Sequence, residues 1–315
     1  MASVPNESSL LSRYFAKLIA NLFALLATGV SYLIVPRSLG PQAFGQYSFF
    51  STLFQQLFTL LDFGALGAFF SKFSQRPKEL GLATTYLIYL SAYSALAFIG
   101  LLTIHLFILK EDVFSAETEG GVLAFLGLIW AILWSASIFS DKFVDALALT
   151  VPAEKIRLVL RSIFTAIILL MYFFDAISIW SFFFWNMGYF FVLSSLFIFL
   201  GYRSGHSIPW PKSEDLDQLK SYFSEYVTYC RPLALVAAFS AFSLASDRWI
   251  LNYYGGDVQQ GFFSLAWLLC SLPMIFSTAF VPLFWREISK ARGEGSKDLL
   301  GQFMGRQFRV LFAIT

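Results

Sequence analysis

YFAKLIANLFALLATGVSYLIV, residues 14–35, carries a single charge, Lys17, in 22 residues. As an α-helix this run is about 33 Å long, enough to cross the hydrocarbon core of a bilayer. It is too long for the apolar centre of a cleaved signal peptide. It therefore reads as the first of a series of membrane crossings.

Comparable blocks follow at 44–70, 80–109, 121–140, 156–174, 177–200, 227–251 and 261–285, which makes eight spans. Asp175 and Ser178 mark a tight turn between the fifth and sixth, because one helix over 156–200 would be about twice the hydrocarbon thickness. Elsewhere Pro, Gly and charged residues punctuate the connections, as in 36–41, 76–78, 110–120 and 252–257. Over 315 residues, 57% are hydrophobic, 19% aromatic and only 13% charged, against about 25% charged in a soluble domain. A mean hydropathy of +0.67 agrees. The chain is an all-α polytopic membrane protein, and a water-soluble enzyme is excluded.

A net charge of +2 provides no basic field for nucleic acid. Cys230, Cys270, His105 and His206 are scattered without metal or haem spacing, so no metal and no cofactor is expected. No phosphate-binding glycine loop is present, so nucleotide hydrolysis is not expected either.

Lys and Arg in short loops stay on the cytoplasmic side. With the N-terminus inside, 19 of the 22 cations fall on the inner side and only Arg37, Lys110 and Arg248 on the outer. Glu111, Asp112, Glu117 and Glu119 make the Lys110 loop net acidic. The expectation is a multi-pass protein of a plasma membrane with its N-terminus in the cytoplasm.

One internal repeat stands out. Gly40, Gly45, Tyr47 and Ser48 recur as Gly256, Gly261, Phe263 and Ser264, all at a shift of 216, each set at the outer turn before an even-numbered span. The first and seventh spans then open two halves running in the same direction, related by an axis along the membrane normal. This predicts an N-terminal six-helix bundle over 1–201, a polar linker over 202–226 and a partial second bundle over 227–315. A new apolar run begins near Phe308, so the second bundle reads as incomplete, with the start of a ninth span.

Val35-Pro36-Arg37-Ser38-Leu39-Gly40, Phe44-Gly45-Gln46-Tyr47-Ser48 and Leu61-Asp62-Phe63-Gly64 resemble the opening of bacterial Wzx-type polysaccharide-unit flippases. Arg231-Pro232-Leu233, Asp247-Arg248-Trp249-Ile250-Leu251, Gly261-Phe262-Phe263-Ser264 and Val281-Pro282-Leu283-Phe284 are similar to the start of that family's second bundle. The resemblance implies the multidrug, oligosaccharidyl-lipid and polysaccharide exporter (MOP) superfamily, with two six-helix bundles in a MATE-like arrangement that open alternately to each side. It also implies a substrate, undecaprenyl-diphosphate-linked oligosaccharide, moved from the inner to the outer leaflet for O-antigen, capsule or exopolysaccharide synthesis. The implied partners are this lipid-linked oligosaccharide, membrane lipids, a polysaccharide polymerase and a chain-length regulator.

A glycan-diphosphate head group needs a wet cavity and cations that release as well as bind, so charges at membrane depth are the candidates. Arg157 and Arg161, spaced i, i+4 near the inner end of the fifth span, either greet a diphosphate or anchor to lipid head groups. Lys17 and Arg231 have the same two readings. Asp62 lies ten residues before Lys72, about 15 Å into the second span. An ionised carboxylate there must be paired, protonated or hydrated; it serves coupling, or it is structural at a bend by Gly64. Gln55, seven residues back, is expected to line the same cavity. Asp247 and Arg248, adjacent and so about 100° apart, read as a gate or inter-bundle contact. Trp267, Trp285 and the many phenylalanines are expected to face lipid or the membrane interface, with sugar stacking by an aromatic of the lumen as the alternative.

Two other functions frame these expectations. A cation-coupled small-molecule exporter of the same superfamily would depend strictly on Asp62. A membrane-embedded glycosyl transferase would need large outer loops, whereas the longest here is about ten residues; the chain is not expected to be an enzyme.

Overall fold

The computed structural model describes residues 10–105, 119–209, 216–270, 281, 285–286 and 288–290. The acidic loop around Lys110, linker residues 210–215, most of 271–290 and the apolar run near residue 308 lie wholly or partly outside these. The described residues are all-helical: α1 (Leu10–Asp62), α2 (Ala65–Gln75), α3 (Gly81–Thr103), α4 (Glu119–Ala146), α5 (Thr150–Phe173), α6 (Ile179–Arg203) and α7 (Leu216–Cys270).

At 53 and 55 residues, α1 and α7 are each too long for one crossing. Each is two arms joined at one glycine. Gly40 has φ 77° and ψ 165°, and Gly256 has φ 68° and ψ −176°, a backbone state open essentially to glycine alone. The reversal at Gly40 shows in the contacts. Lys17 on the first arm meets Asp145 at the end of α4, and Phe73 in α2 stacks on Phe143 at that same end, 5.5 Å between centroids. The chain has crossed the bundle and returned. In the same way, Glu225 on α7 pairs with Arg76 at this end, Asp257 meets Gln46 at the other, and Trp285 is back against Phe70.

The repeat in sequence is thus a repeat in backbone. The two glycines a shift of 216 apart turn the chain in one conformation, and the shift also relates residues that touch. A Cβ on Gly45 would collide with the Asp257 carbonyl, and one on Gly261 with the Pro41 carbonyl. Residues 45 and 261 are equivalent, as are 41 and 257, so the two halves meet through one reciprocal contact made twice, as at a two-fold axis. Ser48 and Ser264, also equivalent, hydrogen-bond to each other.

The second span bends at Gly64, one of the two alternatives its sequence left open. It breaks at Phe63 (φ 48°) and Gly64 (φ 84°), and α2 leaves the Leu33–Asp62 segment at 56°. Six helical stretches are long and apolar enough to cross a bilayer, and this bent pair adds a seventh; the second arm of α7, where the eighth is expected, is described only to Cys270. The turn at Asp175 falls where expected, and Ser178 caps α6 by accepting from the Ser181 N–H.

The phenylalanines depart from expectation. Phe69, Phe73, Phe139, Phe143, Phe183 and Phe197 are almost fully buried, and Tyr86 stacks on Phe139 at 5.2 Å. Lipid tails are as apolar as a protein core, so helix association in a bilayer depends on close packing rather than on hydrophobic burial. Stacked rings supply dense dispersion contacts. Outward faces carry Leu26, Phe173, Phe174 and Phe191, as expected of a lipid-facing surface.

Candidate functional site

A cavity of about 270 Å³ lies between the halves, on the Gly40 and Gly256 side. The second arm of α1 contributes Tyr47, Ser48, Ser51, Thr52, Gln55 and Gln56, α4 contributes Trp130, and α7 contributes Asp247, Arg248, Ser264 and Trp267. One turn of α1 after another places Ser48, Ser51, Thr52 and Gln55 on a single face, because residues three and four apart share a side of a helix. The walls therefore combine hydroxyls and amides with flat aromatic surface.

Arg248 is buried; its Nη1 donates to Ser264 Oγ at 2.7 Å, and its guanidinium lies 4.7 Å from the Phe263 ring centroid. Through Ser264 it connects to Ser48 on the other half. Asp247, next in sequence, is exposed. The pair thus divides as their angular offset requires, yet both border the one cavity. Trp267, expected at the lipid face, borders it too. Gln260, one turn before Ser264, is completely buried, and neither Nε2 nor Oε1 has a hydrogen-bond partner among the described residues.

Gln55 and Asp62 do not share a cavity. Gln55 lines the chamber between the halves, whereas Asp62 borders a second crevice of about 220 Å³ between the α1–α2 break, α3 and α7. The 56° bend separates them. Asp62 Oδ1 accepts from the Tyr86 hydroxyl at 3.0 Å, and Oδ2 accepts from the Leu66 N–H at 3.1 Å, so the carboxylate caps the first turn of α2. Arg231 borders the same crevice and is exposed.

Lys17 and Arg157 come together inside the first half. Lys17 is buried against Asp145, whose other oxygen accepts from Thr150 at 2.9 Å. Arg157 pairs with Asp141 and bidentately with Glu154 at 2.8 and 3.0 Å. Arg161 leaves this network: its guanidinium lies 4.8 Å from the Tyr189 ring centroid, and its buried Nε has no hydrogen-bond partner among the described residues. The four-residue spacing puts both arginines near one face, but only Arg157 reaches the acids. Asp141, Asp145 and Glu154 did not stand out in the sequence reading. Their signal was there in Asp141-Lys142-Phe143-Val144-Asp145, two carboxylates spaced i, i+4 in an otherwise apolar helix.

The cation-rich end closes differently from the glycine end. Arg76 Nη2 donates to Glu225 at 2.5 Å and Lys72 lies 3.5 Å from the same carboxylate, all three partly exposed. The Tyr226 hydroxyl donates to the Leu82 carbonyl at 2.8 Å, Ser71 and Ser289 are 3.2 Å apart, and Arg286 Nε donates to the Ala146 carbonyl at 3.1 Å.

No family model matches the sequence, and no curated protein matches it. Solved structures do share its fold. One, described only as protein A, aligns with a TM-score of 0.75 at 15% identity over 100% of this chain and 71% of its own. Another, a MOP superfamily transporter from Pyrococcus furiosus, aligns with a TM-score of 0.63 at 15% identity over 97% of this chain and 69% of its own. At this identity the likeness establishes the fold, a polytopic helical bundle of the kind this transporter has.

Proposed function

We propose that the protein is a membrane transporter that carries undecaprenyl-diphosphate-linked oligosaccharide between leaflets by alternating access, for O-antigen, capsule or exopolysaccharide synthesis. The observation that carries this reading is the cavity between α1 and α7, two elements whose glycine turns are alike. Its hydroxyls and amides suit a glycan's many donors and acceptors, its aromatic walls suit the apolar faces of sugar rings, and Arg248 supplies a cation for phosphate. The motif resemblance supplies the substrate class.

In this reading the N-terminus is cytoplasmic, as the cation asymmetry requires, and the membrane is the bacterial inner membrane. Residues 1–201 form the first bundle, 202–226 the linker and 227–315 part of the second. Gln55, Asp247 and Arg248 meet the head group, Arg231 and Arg161 meet phosphate on the way, and Asp62, Lys17 and Arg157 hold the first bundle in shape. The polymerase and the chain-length regulator act on the delivered unit. A reporter fused after Glu117 reads periplasmic and one after Ser213 cytoplasmic.

The test is a deletion strain, expected to accumulate lipid-linked repeat units in the inner leaflet. Restoration requires the intact chain, and Arg248→Ala is expected to restore less than a tenth of surface polysaccharide. Normal surface polysaccharide in the deletion strain overturns the reading.

A further inference from the structure

The crevice beside Asp62 differs in chemistry from the chamber between the halves. Its lining is Phe63, Ala65, Tyr89, Phe223, Tyr226, Val227, Cys230 and Ala234, with Asp62 at one end and Arg231 as its only cation. The hydroxyls and the carboxylate of these walls are already engaged. The Tyr89 hydroxyl donates to the Leu61 carbonyl, the Tyr226 hydroxyl to the Leu82 carbonyl, and the Asp62 carboxylate accepts from Leu66 and Tyr86. What remains for an occupant is ring and aliphatic surface. Phe63, Phe223 and Val227 are exposed at the rim, at 40%, 48% and 39%.

Arg231 is exposed and makes no ion pair among the described residues. It lies six residues beyond Glu225, and so about 9 Å deeper along α7 than the ion pairs that close the cation-rich end. An unpaired guanidinium at that depth favours an anionic partner, and it sits beside an apolar slot. A slot for hydrocarbon with a cation at its edge is complementary to an anionic lipid.

We propose that this crevice seats the phosphate-proximal isoprene units of the carrier lipid on its way through, while Arg231 meets its diphosphate. This rests on the transport reading above and adds to it a seat for these units. Asp62, occupied by its two donors, lies beside the hydrocarbon and away from the phosphate.

The test is native mass spectrometry of the detergent-solubilised full chain, titrated with undecaprenyl diphosphate without sugar, with dioleoyl phosphatidylglycerol as competitor. Ala234→Trp, which fills the slot, is expected to weaken binding at least tenfold. Arg231→Gln, on an exposed side chain, is expected to weaken it about tenfold, and Arg231→Lys to retain most of it. Unchanged binding by both Ala234→Trp and Arg231→Gln overturns the crevice assignment. So does phosphatidylglycerol competing equally well, which would make the slot a seat for bulk lipid. Flipping of a lipid-linked glycan is measured separately on the same wild-type protein in proteoliposomes. Flipping with no effect of either variant on carrier binding removes the crevice and leaves the transport reading; absence of flipping removes the transport reading itself.

Discussion

The two ends of the seam between the halves are closed by different chemistry. At the glycine end, backbones touch: Gly45 lies against the Asp257 carbonyl, Gly261 against the Pro41 carbonyl, and Ser48 bonds Ser264. Close approach of small residues is the bilayer's own way of joining helices, and it is insensitive to salt. At the cation-rich end, long side chains reach across part-exposed positions, Arg76 and Lys72 to Glu225. Such pairs gain little and are screened by ions. One end is a fitted surface and the other an adjustable clasp, so the two should respond to different perturbations.

The largest expected effect lies inside the first half and sets a scale for both ends. Lys17→Met leaves Asp145 buried without its partner, which costs about 3–5 kcal/mol. Thermal unfolding in detergent should show the loss, and adding Asp145→Leu should recover most of it. At the glycine end, Gly45→Val has no room for its side chain and should cost about 1–3 kcal/mol by overpacking. It should also lower the yield of a Ser48→Cys, Ser264→Cys cross-link several-fold, whereas substitutions at Glu225 should leave that yield unchanged.

Gln260 sharpens the comparison in the other direction. Both its side-chain polar atoms are buried at the glycine end without partners among the described residues, and each such atom costs about 1–3 kcal/mol. Gln260→Leu should therefore raise the unfolding temperature; if the protein works by alternating access as proposed, it should also slow transport, because an open glycine end would hydrate the wild-type amide. The smallest effect belongs to the clasp. Glu225→Gln should change stability by less than about 1 kcal/mol, and the difference from wild type should vanish in 1 M salt.

The sequence made this division legible only in part. Apolar blocks located the crossings, because length and hydropathy are local properties. The repeated Gly40 and Gly256 located the turns, because only glycine adopts that backbone. The 216-residue shift anticipated that the two glycine turns are alike; it did not reveal that the residues it relates touch, since contact between distant segments is a property of packing. Asp62 stood out by depth, but its partners Tyr86 and Leu66 follow from a bend at Phe63 and Gly64 that hydropathy does not register. The carboxylates around Lys17 and Arg157 were visible as letters, and became a network only when α1, α4 and α5 converged. Phenylalanines misled for a general reason: in a membrane protein, apolar residues serve both the interior and the lipid face, so composition alone does not assign a side.

Alternating access, as proposed above, requires the contact between α1 and α7 at the glycine end to open. It is tested by cross-linking Ser48→Cys to Ser264→Cys in a Cys230→Ala, Cys270→Ser background and measuring flipping of lipid-linked glycan in proteoliposomes. Oxidation should abolish flipping and reduction should restore it. Undiminished flipping with the cross-link formed in nearly every molecule would contradict the account.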